Sequence, residues 1–184
     1  MALTESTMLP LGTRAPRFEL QDTVSPAKLS FEDVKGKNGT LVYFICNHCP
    51  YVIHVIEELV EVAMGYEDQG IGAVAISSND VINYPADSPD NMEAFAMKNL
   101  FNFPYLYDED QSVARAYDAA CTPDLYLFDA DENLYYRGRL DPHRPGAGRK
   151  PNGEDLRAAL DAMLAGEPAP EKQYPSAGCN IKWK

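Results

Sequence analysis

Two cysteines two residues apart, in Cys46-Asn47-His48-Cys49, are the residues of this chain best suited to chemistry. The spacing lets the second sulfur reach the first, so the pair can hold a disulfide or exchange one through a mixed-disulfide intermediate. If the pair opens a helix, unpaired backbone N–H groups and the helix dipole favour thiolate over thiol and lower the first cysteine's pKa below its free value of about 8.5. On that reading Cys46 is the exposed nucleophile and Cys49 the more buried resolving thiol. His48, between them, favours the Cys46 thiolate and makes the disulfide more oxidising. Pro50 suits the first helical turn, where its missing N–H costs little.

Two further cysteines, Cys121 and Cys179, read either as small buried residues or as additional redox thiols. A zinc site needs about four ligands, and no second C-x-x-C supplies them; His48, His54, Cys121 and Cys179 would have to meet in space. His54 reads as a packing or surface residue of the following helix, and His143 as exposed in a Pro/Gly-rich loop. Asp129-Ala130-Asp131-Glu132-Asn133 begins like a calcium loop, but Leu134 stands where glycine is needed and Leu140 where glutamate is needed, so it reads as a turn. No phosphate loop or dinucleotide fingerprint is present, and no cofactor is expected.

The elements that must position the pair are legible around it. Thr40-Leu41-Val42-Tyr43-Phe44-Ile45 is a nearly continuous apolar run, as expected of a central strand buried on both faces. After the motif, Val52, Val55, Ile56, Leu59, Val60 and Ala63 recur at helical spacing, Gly70 marks a turn, and residues 71–77 form the next buried strand. The motif therefore sits at a strand-to-helix turn inside a right-handed βαβ unit. Residues 1–15 read as a loose lead-in, 17–20 as a short strand, and Ser30 as the cap of a brief helix with Phe31 and Val34. Ser88-Pro89 starts a helix carrying Met92, Phe95 and Ala96, residues 103–107 form a short strand, and Asp110 caps a helix with Val113, Ala114 and Tyr117. Strands over 124–128 and 134–138 flank the turn at 129–133, and Leu156, Ala159, Leu160, Met163 and Leu164 mark a last helix.

The chain has 184 residues with 45% hydrophobic and 24% charged side chains, enough to fold as one unit, 1–184, without a disulfide or metal. Residues 167–184 read as a C-terminal tail that docks back on the domain, because it ends in Gly178-Cys179-Asn180-Ile181-Lys182-Trp183 and carries the one tryptophan of the chain. A formal net charge of −12 disfavours nucleic acid and anionic membrane as partners. No stretch approaches the ~18 apolar residues of a membrane span, and the first residues do not read as a secretory signal. The expected location is the cytoplasm, where cysteines are catalytic, metal-binding or inert more often than structural.

The chain resembles the thioredoxin-like proteins of the redoxin branch, the group of alkyl hydroperoxide reductase and thiol-specific antioxidant proteins. The resemblance rests on Ala15-Pro16-Arg17-Phe18-Glu19-Leu20, the C-x-x-C, Cys121-Thr122-Pro123-Asp124 and the terminal 178–183 segment. It implies an α/β thioredoxin fold, a central mixed sheet flanked by helices, with an N-terminal redoxin extension and the C-terminal tail. It also implies a cis-proline beside the C-x-x-C, here Pro123, with Thr122 offering backbone groups to a bound substrate chain. The implied activity is thiol–disulfide exchange with protein or small-molecule disulfides, re-reduced by a thiol electron donor. The alternatives are hydroperoxide reduction, as an antioxidant enzyme, and metal binding. Peroxiredoxins resemble P-x-x-x-T-x-x-C; Cys49 matches that cysteine, but Cys46 replaces the threonine and Val42 the proline. Thioredoxin itself resembles a chain with Trp before the first cysteine, where this one has Ile45.

Overall fold

The computed structural model describes residues 3–184. In chain order its elements are β1 (Leu3–Glu5), β2 (Glu19–Asp22), β3 (Lys28–Ser30), α1 (Phe31–Val34), β4 (Gly39–Phe44), α2 (Pro50–Glu67), β5 (Ile71–Ser77), a 3-10 turn (Pro85–Asp87), α3 (Pro89–Lys98), β6 (Tyr105–Tyr107), α4 (Ser112–Ala116), β7 (Cys121–Thr122), β8 (Asp124–Asp129), β9 (Leu134–Gly138), α5 (Glu154–Leu164) and β10 (Ala177–Asn180). Seven strands form one mixed sheet in the order β3-β2-β6-β5-β4-β8-β9. β4 is an interior strand, parallel to β5 and antiparallel to β8.

The unbroken apolar run of β4 follows from burial on both sides. Successive side chains of a strand point to opposite faces. Leu41 and Tyr43 join the core under α2, α3 and α5. Val42 and Phe44 join the core of the other face, with Phe31 and Val34 of α1 and Val113 and Ala114 of α4. The expected helix after the motif is α2, whose buried residues include Val52, Val55, Ile56, Leu59, Val60 and Ala63. Local cap chemistry works where it was expected: Ser30 and Asp33 form a capping box on α1, and the Ser88 side chain accepts the Asn91 N–H ahead of Pro89 in α3. Asp110 accepts the Ser112 N–H, although Gln111 is the capping residue of α4.

Three expectations need correction, all for reasons of long-range pairing. Residues 3–5 are not a loose lead-in but a strand, held by β10 with Leu3 opposite Cys179 and Glu5 opposite Ala177. The short strand expected over 17–20 lies at Glu19–Asp22, where Gln21 and Asp22 pair with Tyr107 and Leu106. The tail docks, but through β10 and buried Ile181 rather than through tryptophan. Trp183 stays 40% exposed, with the Arg115 guanidinium 4.6 Å over its ring. β10 lies between β1 and β7 in a second, three-stranded sheet. Backbone bonds pin its continuation: Ile181 N–H donates to Ala120 O, Lys182 N–H to the Asn79 side chain, and Asp80 N–H to Lys182 O. Among the described residues no helix is long and apolar enough to cross a membrane.

Candidate active site

β4 delivers Ile45 and Cys46 to the edge of the core, and Ile45 N–H still donates to Ile76 O of the neighbouring strand. The chain then turns through Asn47 and His48 and enters α2 with Cys49 as N-cap and Pro50 in its first turn. Asn47 fixes the turn: its N–H donates to Asp87 Oδ1 at 2.8 Å, its side-chain amide donates to Ala86 O, and its Oδ1 accepts from the Tyr105 hydroxyl. The second wall comes from the other end of the chain order. The Thr122–Pro123 bond is cis, as the resemblance implies for Pro123. Thr122 Oγ1 lies 3.4 Å from Cys46 Sγ, and Thr122 O accepts from Cys49 Sγ at 3.2 Å.

The resemblance implied that Thr122 offers backbone groups to a substrate chain; β7 is an edge strand of the small sheet, and one of its sides is taken. Thr122 pairs with Cys179, because β10 adds to β7 on that side. The approach is close: a Cβ on Gly178 would stand 2.0 Å from Thr122 O. The same strand places Cys179 Sγ 2.7 Å from Cys49 Sγ. Cys46, expected to be exposed, is 1% exposed, and Cys49 is fully buried. Cys121 is buried too, its sulfur turned to Pro123 O at 3.5 Å. All four cysteines are thiols in this structure.

The two motif sulfurs have unequal surroundings. Cys49 lies against the Cys46 sulfur, the Cys179 sulfur and the Val52 N–H of the first helical turn, and these hold its pKa well below the ordinary thiol value. Cys46 is pushed up, first by giving its proton toward Cys49, then by burial and by the nearby Asp87 charge. In this conformation the surroundings favour the charged form at Cys49 over Cys46. The helix N-terminus acts on the residue that caps it.

His48 stacks on Tyr84 with ring planes 8° apart, and its Nδ1 lies 2.8 Å from Asp87 Oδ2. That contact pairs opposite charges when the ring is protonated. A donor atom from each of Cys46, His48 and Asp87 lies within 4.8 Å of the others, the one grouping of at least three such donors among the described residues. Asp87 is already engaged, its Oδ1 by Asn47 N–H and its Oδ2 by the Asn79 amide. His54 and His143 line a groove beside Pro123, with Tyr51 and Arg139. His143 is not exposed as expected; its side chain is 14% exposed beside Asp141.

Sequence reasoning missed Asp87 and Asp124. Asp124 follows the cis-proline and is buried; its Oδ2 lies 3.2 Å from Ala120 N and 3.3 Å from the Tyr126 hydroxyl. Burial pushes its pKa up from 3.8 to about 6. Between those values the folded state holds a proton that the unfolded chain has lost, so stability falls as pH rises through that window. A shift of this size is worth roughly 3 kcal/mol. We expect Asp124→Asn to flatten the pH dependence of the denaturation midpoint between pH 4 and 6. A slope as steep as in the parent protein would remove Asp124 as its source.

Residues 11–137 match the model of the AhpC/TSA family, and the chain belongs to that family. A solved structure from Geobacillus kaustophilus, described as an uncharacterized conserved protein, is 54% identical and covers 100% of this chain and 97% of that one, with a TM-score of 0.97. The thiol-disulfide oxidoreductase ResA of Geobacillus thermodenitrificans is 27% identical over 128 residues, 68% of this chain and 67% of that protein. The thioredoxin domain of a thiol-disulfide oxidoreductase from Bacteroides vulgatus superposes with a TM-score of 0.66 over 85% of this chain and 99% of that one, at 18% identity. That likeness is one of fold, and the fold is the thioredoxin fold.

Proposed function

We propose that this protein is a thiol–disulfide oxidoreductase whose Cys46/Cys49 dithiol exchanges with substrate disulfides. The observation that carries the reading is the meeting of both sulfurs with Thr122, across a strand-to-helix turn and a cis-proline loop. Similarity to a thiol-disulfide oxidoreductase over two-thirds of the chain supports it. Cys46 attacks, because it adjoins Asn47 and His48, which are partly exposed, whereas Cys49 contacts buried groups. Attack by the Cys46 thiolate on a substrate disulfide forms a Cys46–substrate bond and releases one substrate thiolate. The Cys49 thiolate then attacks Cys46 Sγ, which forms the Cys46–Cys49 disulfide and releases the second thiolate. A thiol donor of two electrons restores the dithiol. The partners are protein or small-molecule disulfides, and the setting is a reducing cytoplasm.

One observation favours hydroperoxide reduction as a second reading: the lowered thiolate is Cys49, which matches the reactive cysteine of peroxiredoxins. There the thiolate would take the terminal peroxide oxygen, release an alcohol and condense as a sulfenic acid with a neighbouring thiol, losing water. A parallel assay separates the readings. With a dithiol reductant, the protein is expected to turn over a disulfide substrate faster than it consumes hydroperoxide. Peroxide consumption with no disulfide reduction would replace the first reading by the second.

A further inference from the structure

The Cys46/Cys49 pair accounts for two of the four thiols, and it leaves the 2.7 Å contact of Cys49 with a third sulfur unused. We propose that Cys179 is a third redox thiol of the site, able to take over the Cys49 end of a Cys46–Cys49 disulfide.

The proposal rests on the dithiol reading above and on three observations. Cys49 Sγ and Cys179 Sγ are 2.7 Å apart, and a formed S–S bond spans about 2.05 Å, so the two have little further to travel. Cys179 is held there from both sides: it stands opposite Thr122 of β7 and opposite Leu3 of β1. Gly178 lets the strand approach this closely, since any Cβ at that position would collide with the Thr122 carbonyl. Cys121 is the internal contrast. It is as buried as Cys179, but its sulfur faces a backbone carbonyl instead of a motif sulfur.

The exchange is balanced without any further oxidant. Cys179 loses its proton and attacks Cys49 Sγ of the disulfide. The Cys49–Cys179 bond forms as the Cys46–Cys49 bond breaks, and Cys46 leaves as a thiolate that takes up the proton. No net oxidation occurs; the two oxidising equivalents accepted from the substrate move one sulfur deeper. Cys46 is thereby returned as a thiol while the C-terminal strand is tied to the helix cap. Burial holds the Cys179 thiol up, so it attacks slowly until it is deprotonated, and the exchange should speed up with pH.

The test is disulfide mapping of the full chain, oxidised natively with one equivalent of oxidised dithiothreitol, quenched in acid, alkylated and digested. Both Cys46–Cys49 and Cys49–Cys179 linked peptides are expected in the wild type, together with a population of alkylated Cys46. Cys179→Ser should lose that population, and Cys46→Ser should form the Cys49–Cys179 bond alone. Absence of the Cys49–Cys179 bond from both wild type and Cys46→Ser, in protein that forms Cys46–Cys49, would overturn the third-thiol proposal. Links to Cys121 in equal yield would overturn it as well, by showing indiscriminate oxidation. Failure of Cys179→Ser to form Cys46–Cys49 would strike instead at the dithiol reading on which the proposal stands.

Discussion

Cys46→Ser is expected to bring turnover of a disulfide substrate down to the uncatalysed level, while Cys49→Ser should capture the substrate and hold it as a mixed disulfide. The asymmetry follows from the two-step chemistry. The first sulfur must be reached by the substrate, and the second must reach the first. Cys46 adjoins the partly exposed rim of Asn47 and His48, and Cys49 lies below, against Thr122 O and Cys179. A serine at 49 cannot displace the substrate from Cys46, so the adduct persists. It also removes the strongest of the influences that hold the Cys46 thiol up. Capture should therefore extend to lower pH than the first step of the parent enzyme. Intact-mass measurement after mixing with a disulfide substrate checks both points. An adduct on Cys46→Ser in place of Cys49→Ser would assign the attack to Cys49.

The second large effect lies in a residue with no reactive group. An added Cβ at Gly178 would meet Thr122 O at 2.0 Å, the Thr122 carbonyl carbon at 2.8 Å and Pro123 Cδ at 3.2 Å. The first two are backbone atoms of the cis-proline loop and cannot step aside as a long side chain would. Gly178→Ala must therefore push β10 away from β7, and overpacking of this kind costs about 1–3 kcal/mol, occasionally more. For a chain of this size each kcal/mol lowers Tm by about 2–4 °C. The same displacement carries Cys179 away from Cys49 and uncovers the motif. We expect a lower Tm together with faster alkylation of Cys46 and Cys49 in the native, reduced protein. Parent-like stability and thiol protection would mean that the strand does not press on the loop in this way.

Much of the scaffold could be read along the chain. The run from Thr40 to Ile45, the 3.6-residue spacing from Val52 to Ala63 and the caps at Ser30 and Ser88 act over a few residues, so their meaning does not depend on distant partners. Strands made by pairing are different. Leu3–Glu5 and Ala177–Asn180 have no strand pattern of their own and exist because each supplies the other's hydrogen bonds. Tryptophan was the wrong anchor for the tail for a related reason. The backbone of β10, with Ile181 and Lys182, already satisfies the docking, and Trp183 is left to stack on Arg115.

The sequence by itself determined the C-x-x-C pair and its turn between a buried strand and a helix, because a two-residue spacing and a helix start are local facts; the proline that faces the pair was implied only by the family resemblance. Tertiary structure alone decided the electrostatics. Asp87 reaches Asn47 and His48 from a turn some forty positions further on, and the Val52 N–H settles on the sulfur that caps the helix. It alone also decided the fate of Cys179, separated from Cys49 by 130 positions and brought against it by β10. Charge and sulfur chemistry act through space over a few ångströms, and distance along the chain carries almost no information about distance across the fold.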